Sequence, residues 1–413
     1  NGKMKPISEI EVGSEVVTHT GEFAPVTFKS EQTKQCLSVK MRGLTKYPLI
    51  ATPEHRFWTR NGWMELRDLG PGDEIGYPVR KISNSKAEFP IDSYAPNRKQ
   101  KGGSHHKPIV NAVGASYEWG RVLGLYLAEG YIALPSTGAQ TPCAVNFTVH
   151  EKEVERTLEW LKPFEGIYSS ITVSENKGTL TRHVIAYGVN FARTIAALCG
   201  RIDEKRLPVN WWQYGAEFGR GMLVGYLSGD GHVAAKERRI RATSTRESIT
   251  IGMRDITASL GYGWASVEHK KAAVRYGRNE QAAYIYSLCG DGIIELGRLL
   301  GTVIEGRRKK ASTGKIGNAA ATTEISGGYA WVRIRSIEPS EEQTVYDLEI
   351  GHKDHSYCTI HGATHNSEVA FWPNADQHLS GILQAVPDAP GTEVILESTS
   401  NGVGGVYYDY VME

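Results

Sequence analysis

The chain has 413 residues, 47 Lys plus Arg against 46 Asp plus Glu, and a formal net charge of +1 at pH 7. This length exceeds one ordinary core and predicts roughly two to four domains. The balanced charge excludes a globally basic nucleic-acid binder, so any such surface has to be a local patch. Cys36, Cys143, Cys199, Cys289 and Cys358 stand far apart with no CxxC pair, which argues against a zinc ribbon or disulfide scaffold and fits a reducing compartment. No apolar run is long enough to span a bilayer and no signal peptide opens the chain. The expectation is a soluble, cytoplasmic protein with no membrane partner.

Residues 1–82 read as short strands at 7–10, 15–18, 24–28, 36–41, 49–52 and 74–77, with turn signals at Thr20-Gly21, Asn61-Gly62 and Gly70-Pro71-Gly72-Asp73. Among them stands Thr52-Pro53-Glu54-His55, followed by Gly62-Trp63. A Thr and a His three apart at a strand end can both hydrogen-bond one strained peptide, the imidazole donating to the amide nitrogen that leaves in acyl transfer. The plain alternative is a surface Thr and a satisfied His at a turn, and short patterns of this kind arise often by chance. Residues 83–116 are polar, rich in Lys, Asn and Ser, and aperiodic, so they read as a linker; His105-His106 lacks the further ligand spacing of a metal site.

Helical periodicity marks the block 117–315. The stretch from Gly120 to Glu129-Gly130 is an apolar helix ending in an acid and a glycine, and the stretch from Gly221 to Asp230-Gly231 repeats it 101 positions later. Gly124 and Ala128, and likewise Gly225 and Gly229, are four apart, so each pair shares a helical face and lets two helices touch closely. Each helix then delivers its acid to the same end of the interface, where two carboxylates can hold a divalent metal beside a phosphate. One copy alone is better explained as a buried helix with a C-terminal Gly cap; two copies with the acid in register favour function. Strands are expected at 144–149, 170–173, 183–187, 239–244, 264–270 and 283–289, and a helix at 247–260. Three basic clusters suit phosphate contact or, equally, a solvated face: Lys236 to Arg241; Lys270-Lys271 with Arg275 and Arg278; and Arg307-Arg308-Lys309-Lys310. Lys152 and Lys270 are candidates for a lysine beside the acids.

Residues 326–366 return to strand patterning at 329–337, 344–350 and 356–360, so an all-β module reads as split by the mixed block. The module ends at His365-Asn366, followed by Ser367. An Asn amide can attack its own backbone carbonyl and cut the chain after itself, provided a donor such as His365 serves the carbonyl oxygen. Ser367 could hold an acyl group beforehand as an ester. On the tripeptide alone, a loop bonding its own backbone is the plain reading. Cys358 reads as a small buried hydrophobe rather than a nucleophile.

Taken in order, four blocks resemble an intein of the Hedgehog/intein (HINT) fold: Gly2 to Ile7 with Glu9 to Gly13; Thr52 to His55 with Asn61-Gly62-Trp63; Thr344 to Ile350 with His355-Ser356-Tyr357; and His365-Asn366-Ser367. The resemblance implies that Thr52 and His55 activate an upstream scissile peptide. It implies that Asp347 and His355 assist the acyl transfers, that His365 promotes Asn366 cyclisation, and that Ser367 opens the downstream extein. Asp347 has a second reading, as a strand-end turn residue. The family places a Cys or Ser nucleophile upstream of the first block, so the chain reads as amino-terminally truncated.

The paired helices resemble the LAGLIDADG (dodecapeptide, DOD-type) homing endonucleases that commonly sit inside inteins, and Lys205-Arg206-Leu207-Pro208 matches a block of that family. This resemblance implies a monomeric endonuclease of two pseudo-symmetric α/β halves, with Mg²⁺ held by Glu129 and Asp230 and a saddle of two sheets on double-stranded DNA. Finally, Glu368 to Pro373 and Leu396 to Gly402 resemble the end of the Walker B region and the ATP-coupling motif of a bacteriophage terminase large subunit. No GxxxxGK[ST] is present, so the chain carries only a fragment of such a P-loop ATPase. The expected organisation is a multidomain chain: 1–82 and 326–366 as the all-β HINT module, 83–116 as linker, 117–315 as the α/β endonuclease, and 367–413 as extein. Two alternatives stay open: an endonuclease with a decayed splicing module, and a DNA-binding protein that does not cut.

Overall fold

Tertiary contacts in the computed structural model, which describes residues 4–83, 88–90, 112–135, 141–175, 178–275, 278–304 and 323–366, divide the chain into two units. One gathers Lys5–Lys40, Leu49–Pro78 and the chain from Arg333 onward; the other gathers Met41–Pro48 and Val79–Val332. Ser367 with the rest of 367–413, the basic run 307–310 and the His105-His106 pair lie outside the described residues. No described helix is long and apolar enough to cross a membrane.

The first unit is built of strands. Glu15–Val17, Phe23–Lys34 and Gln343–Ile350 form an antiparallel sheet, with a bulge between Val26 and Phe28. Ala24, Val26, Leu348, Ile350 and Tyr357 bury its core, against which Ile7, Ile10 and Val16 pack. The expected strand at 7–10 is instead a short 3₁₀ turn, Ile7–Glu9: Pro6 precedes it, and a turn lets two isoleucines three apart reach one core. Arg56–Thr59 pairs with the hairpin partner Gly62–Glu65, with Glu74–Pro78 through Thr59 opposite Ile75, and with Gly362–His365 through Thr364 opposite Phe57. Gly362–His365 in turn forms a hairpin with Ser356–Thr359. None of these four-residue strands was expected except Ser356–Thr359. Asp347 lies inside the strand Gln343–Ile350, not at its end as the turn reading required, and its carboxylate accepts the Leu348 amide. Cys358 is only partly buried and its thiol donates to the Thr18 carbonyl at 3.1 Å.

The second unit contains one series of elements twice. Helix α1 (Tyr117–Glu129) is followed by strands Gly130–Ala133 and Ala144–His150, helix α2 (Val154–Leu161), strands Ser170–Glu175 and Thr181–Tyr187, and helix α3 (Val189–Cys199). The same series then runs from α4 (Ala216–Gly229) through Gly231–Ala234, Arg239–Ser244, α5 (Glu247–Ser259), Ser266–Lys270 and Ala283–Leu288 to α6 (Ile293–Leu299), with an added antiparallel pair, Ala273–Arg275 and Arg278–Glu280, between its last two strands. Each half pairs its four strands antiparallel in one order, first–second–fourth–third. The six expected strands all form within a residue or two of their predicted ends. Glu88–Pro90 pairs with Ala112–Gly114, so the stretch read as structureless linker contributes two short strands.

α1 and α4 meet backbone to backbone. A β-carbon added to Gly120 or Gly124 would fall on the carbonyls of Phe218 and Met222, and one added to Gly221 or Gly225 would fall on those of Tyr117 and Arg121. The contact is reciprocal about an approximate twofold axis, and only glycine admits it. Around it Trp119, Leu123, Tyr126, Phe218, Met222, Leu223 and Tyr226 are buried in one core. Neither helix ends in a left-handed glycine cap: Gly130 has φ −95°, and both Gly130 and Gly231 begin the next strand. Gly225→Val is expected to lower the unfolding free energy of this unit by about 3 kcal/mol or more, through overpacking against fixed backbone. Urea denaturation followed by tryptophan fluorescence measures it, and an unchanged midpoint would contradict the close contact.

Candidate functional sites: a histidine–asparagine strand end and a paired-acid helix interface

In the β unit, the strand Gly362–His365 carries the chain to Asn366, which is 8% exposed. His365 Nδ1 lies 2.8 Å from the Asn366 backbone oxygen. As a carbonyl can only accept, Nδ1 is the protonated nitrogen in that contact. The Asn366 amide donates to the His355 carbonyl at 2.9 Å, which anchors the far side of the same residue. Asn366 Oδ1 is buried with no hydrogen-bond partner among the described residues. His355 holds a left-handed φ of 42°, its ring 6.5 Å from that of His365, and this turn aims its carbonyl at Asn366.

His55 belongs to the same neighbourhood. Its Nε2 is 2.5 Å from the hydroxyl of Thr364, which also donates to the Arg56 carbonyl at 2.8 Å. Its amide donates to the carbonyl of buried Thr52 at 3.1 Å, and its own carbonyl accepts the Leu66 amide. Desolvation holds the His55 imidazole below the usual histidine range, opposed by the negative charge of Asp347. The structure therefore brings Thr52, His55, His355, His365 and Asn366 into one neighbourhood with Asp347 acting on it by charge; Ser367 is outside the described residues.

Trp63, read in the sequence only as part of a block, and His19, not singled out there, also border the site. The Trp63 ring stands 5.1 Å from His365, and His19 packs against both Trp58 and Trp63. His19 Nδ1 is 2.8 Å from the Ser356 hydroxyl, and burial lowers its pKa. An aromatic wall thus backs the His365 ring. Only the Trp63 element of it had a sequence signal, the Gly-Trp turn.

In the α/β unit, Glu129 is the last residue of α1 and Asp230 the first after α4. A β-carbon on Gly229 would lie 2.9 Å from Glu129 Cγ, so the two ends are in contact. Desolvation, and then the charge of Glu129, push the Asp230 carboxyl up to about 7, while Lys205 pulls it down. Glu129 is raised by desolvation and by Glu153. Lys205 Nζ donates to the Tyr126 carbonyl at 2.9 Å and the Leu127 carbonyl at 3.3 Å, and desolvation brings it down to about 8. Lys205, not Lys152 or Lys270, is the lysine whose charge acts on the acid pair. Lys152 sits at the exposed turn after Ala144–His150, and Lys270 ends the strand Ser266–Lys270. Hard carboxylate oxygens that oppose each other's ionisation fit a divalent cation such as Mg²⁺. Among the described residues no group of three or more His, Cys, Asp or Glu converges.

Each sheet buries one face against helices and turns polar side chains to the other. In the second half Ile240, Ala242, Val267 and Tyr286 point inward, which turns Arg239, Arg241 and Lys270 to the outward side. In the first half Val145, Phe147, Val184 and Ala186 point inward, which turns Thr148, Thr172 and His183 outward, while Asn146 on that same side is buried and donates to the Tyr131 hydroxyl. Lys236 lies in the turn before Arg239–Ser244, with Arg238 paired to Asp291 and Arg241 to Glu237.

No protein-family profile matches the chain. Among curated proteins it is 24% identical over 409 residues to an ATP-dependent DNA helicase Hel308 of Thermococcus kodakarensis, covering 88% of this chain and 35% of the relative. It is 22% identical over 450 residues to an iron-sulfur cluster assembly SufBD family protein of Mycobacterium tuberculosis, covering 98% and 46%. It is also 22% identical over 232 residues to a DNA-directed RNA polymerase subunit Rpo1C of Methanocaldococcus jannaschii, covering 53% and 26%. The chain thus spans less than half the length of these relatives. Among solved structures it is similar to the homing endonuclease I-DmoI, with TM-score 0.34 and 12% identity over 46% of this chain and 99% of that one. It is also similar to the N-terminal LAGLIDADG domain of DUF199/WhiA, with TM-score 0.31 over 48% and 85%.

The raised Asp230 carboxyl has a stability consequence. Folded, it keeps its proton up to about pH 7, whereas unfolded it loses it near 3.8. Between those values the native state binds more protons, so the contribution of this group falls as pH rises through the interval. Asp230→Asn, which cannot ionise, is expected to match the parent near pH 4 and to exceed it in melting temperature at pH 8. Equal melting temperatures at both pH values would show that the site does not hold the proton.

Proposed function

We propose that the chain is an intein carrying an embedded LAGLIDADG-type endonuclease, and that cyclisation of Asn366 severs it from the segment that follows. The observation that carries the first half of this reading is the 2.8 Å contact from His365 Nδ1 to the Asn366 carbonyl oxygen. As the Asn366 side-chain nitrogen adds to its own carbonyl carbon, negative charge develops on that oxygen, and a donor already aimed at it stabilises the transition state. The C–N bond to Ser367 then breaks, and the chain ends in a succinimide. Thr52 and His55 serve the upstream scissile peptide, Asp347 and His355 assist the acyl transfers, and His355 also orients Asn366 through its carbonyl. Ser367 would receive the acyl group by displacing the upstream Cys or Ser that the resemblance places before the first block, the thioester or ester bond to that residue breaking as the ester to Ser367 forms.

A second line of support comes from the relatives. Proteins described as a helicase, an iron-sulfur assembly protein and an RNA polymerase subunit share no stated activity, yet each matches about half or more of this chain over a minor part of its own length. A self-excising insertion accounts for that pattern, since its host can be any protein. By its resemblance at 368–373 and 396–402, the host here is a phage terminase large subunit.

For the embedded unit, the touching acid ends of α1 and α4 support DNA cleavage over binding alone. Glu129 and Asp230 would hold Mg²⁺, which supplies Lewis-acid activation of a phosphate and a water of lowered pKa. Lys205 keeps a positive charge beside them, and the outward sides of the sheets carry the Thr, His, Arg and Lys side chains that contact bases and phosphates.

Two measurements test the two activities separately. Mass spectrometry of the purified chain is expected to detect scission after Asn366, abolished by Asn366→Ala and slowed about 10²-fold or more by His365→Ala. An intact chain under all conditions would favour a decayed splicing module. Incubation with the uninterrupted host gene and Mg²⁺ is expected to yield cut DNA, with Glu129→Gln lowering the rate about 100-fold or more while binding persists. Binding without cutting by the parent chain would favour the non-cleaving reading.

A further inference from the structure

Thr364 is 1% exposed, and its single hydroxyl proton has two claimants, the Arg56 carbonyl oxygen at 2.8 Å and His55 Nε2 at 2.5 Å. A hydroxyl donates once and accepts twice. With the proton on the Nε2 side, the hydroxyl and carbonyl oxygens would face each other lone pair to lone pair at 2.8 Å in a dry site, a repulsive contact. With the proton on the Arg56 side, the hydroxyl oxygen still has a lone pair for an Nε2–H. Both contacts are attractive only in the second arrangement.

We infer that Thr364 is a positioning residue that fixes His55 as the Nε2–H tautomer, leaving Nδ1 as the only nitrogen through which His55 can take or give a proton. The functional meaning of this inference rests on the splicing reading above. Thr364 lies on the strand that carries Asn366, two residues ahead of it. The downstream scissile strand therefore sets the protonation geometry of a histidine assigned to the upstream scissile peptide, and the two ends of the insertion are chemically linked through one hydroxyl. The desolvation of His55, which favours the neutral ring, keeps the tautomer question relevant near neutral pH.

The test is long-range ¹H–¹⁵N spectroscopy of the full chain labelled with ¹⁵N-histidine, the His55 signals being identified by their loss in His55→Gln. A single tautomer is expected, with a pyrrole-like Nε2 and a pyridine-like Nδ1. Thr364→Ser, which keeps the hydroxyl, is expected to preserve that pattern. Thr364→Val, which keeps the branched shape without the hydroxyl, is expected to lose it to a tautomer mixture while the amide spectrum stays folded. A pyrrole-like Nδ1 in the parent chain, or a Thr364→Val spectrum identical to the parent's, would overturn the inference. If splicing itself were the wrong reading, the single tautomer would still be observed and only scission after Asn366 would be missing. Should Thr364→Val fail to fold, the parent and Thr364→Ser spectra still decide the assignment.

Discussion

A short antiparallel contact, Thr364 opposite Phe57, carries much of what is chemical about the β unit. It closes a separation of 309 residues between His55 and Thr364. Once it forms, the Thr364 hydroxyl reaches His55 and Arg56 while its successors reach His355 and Trp63. The entropy of closing so long a loop grows only with the logarithm of its length, so a large α/β insertion between the two partners is thermodynamically tolerable. Closure is further secured by Phe23–Lys34 and Gln343–Ile350, whose long register joins the same early and late parts of the chain.

How legible this was depended on the range of the interaction. His365 and Asn366 are covalent neighbours, so a donor beside the carbonyl was readable from two adjacent letters. Thr364 and His19 were silent, because their partners His55 and Ser356 lie hundreds of positions away and nothing local distinguishes a Thr or a His so used. Strand patterning succeeded where one face is wet: Arg239–Ser244 alternates buried Ile240 and Ala242 with outward arginines. It failed for Arg56–Thr59 and Gly362–His365, which are too short to display a period. It also misread Ile7 to Ile10, where two isoleucines three apart fit a tight turn as well as a strand.

The acid pair was legible for a different reason. A single helix ending in Glu-Gly carries almost no information, but a second copy at a constant offset places both acids at equivalent points of a shared interface. Which lysine accompanies them was not readable: Lys152 and Lys270 stand near the expected strands, whereas Lys205 arrives from the segment before α4 and is held by carbonyls of α1. Burial then sets the chemistry. The same desolvation that raises Asp230 lowers Lys205, so the site stores unlike groups close to neutrality.

The repeated order of elements and the reciprocal glycine contacts describe a homodimer written into one polypeptide. A half with its glycine ridge bare would have to find a second copy, and an isologous pair of identical halves would be bound to present the same surface twice. Fusion removes that obligation. Here the outward sides of the two sheets differ, one carrying Thr148, Thr172 and His183, the other Arg239, Arg241 and Lys270. A molecule built this way is free to recognise something that lacks twofold symmetry.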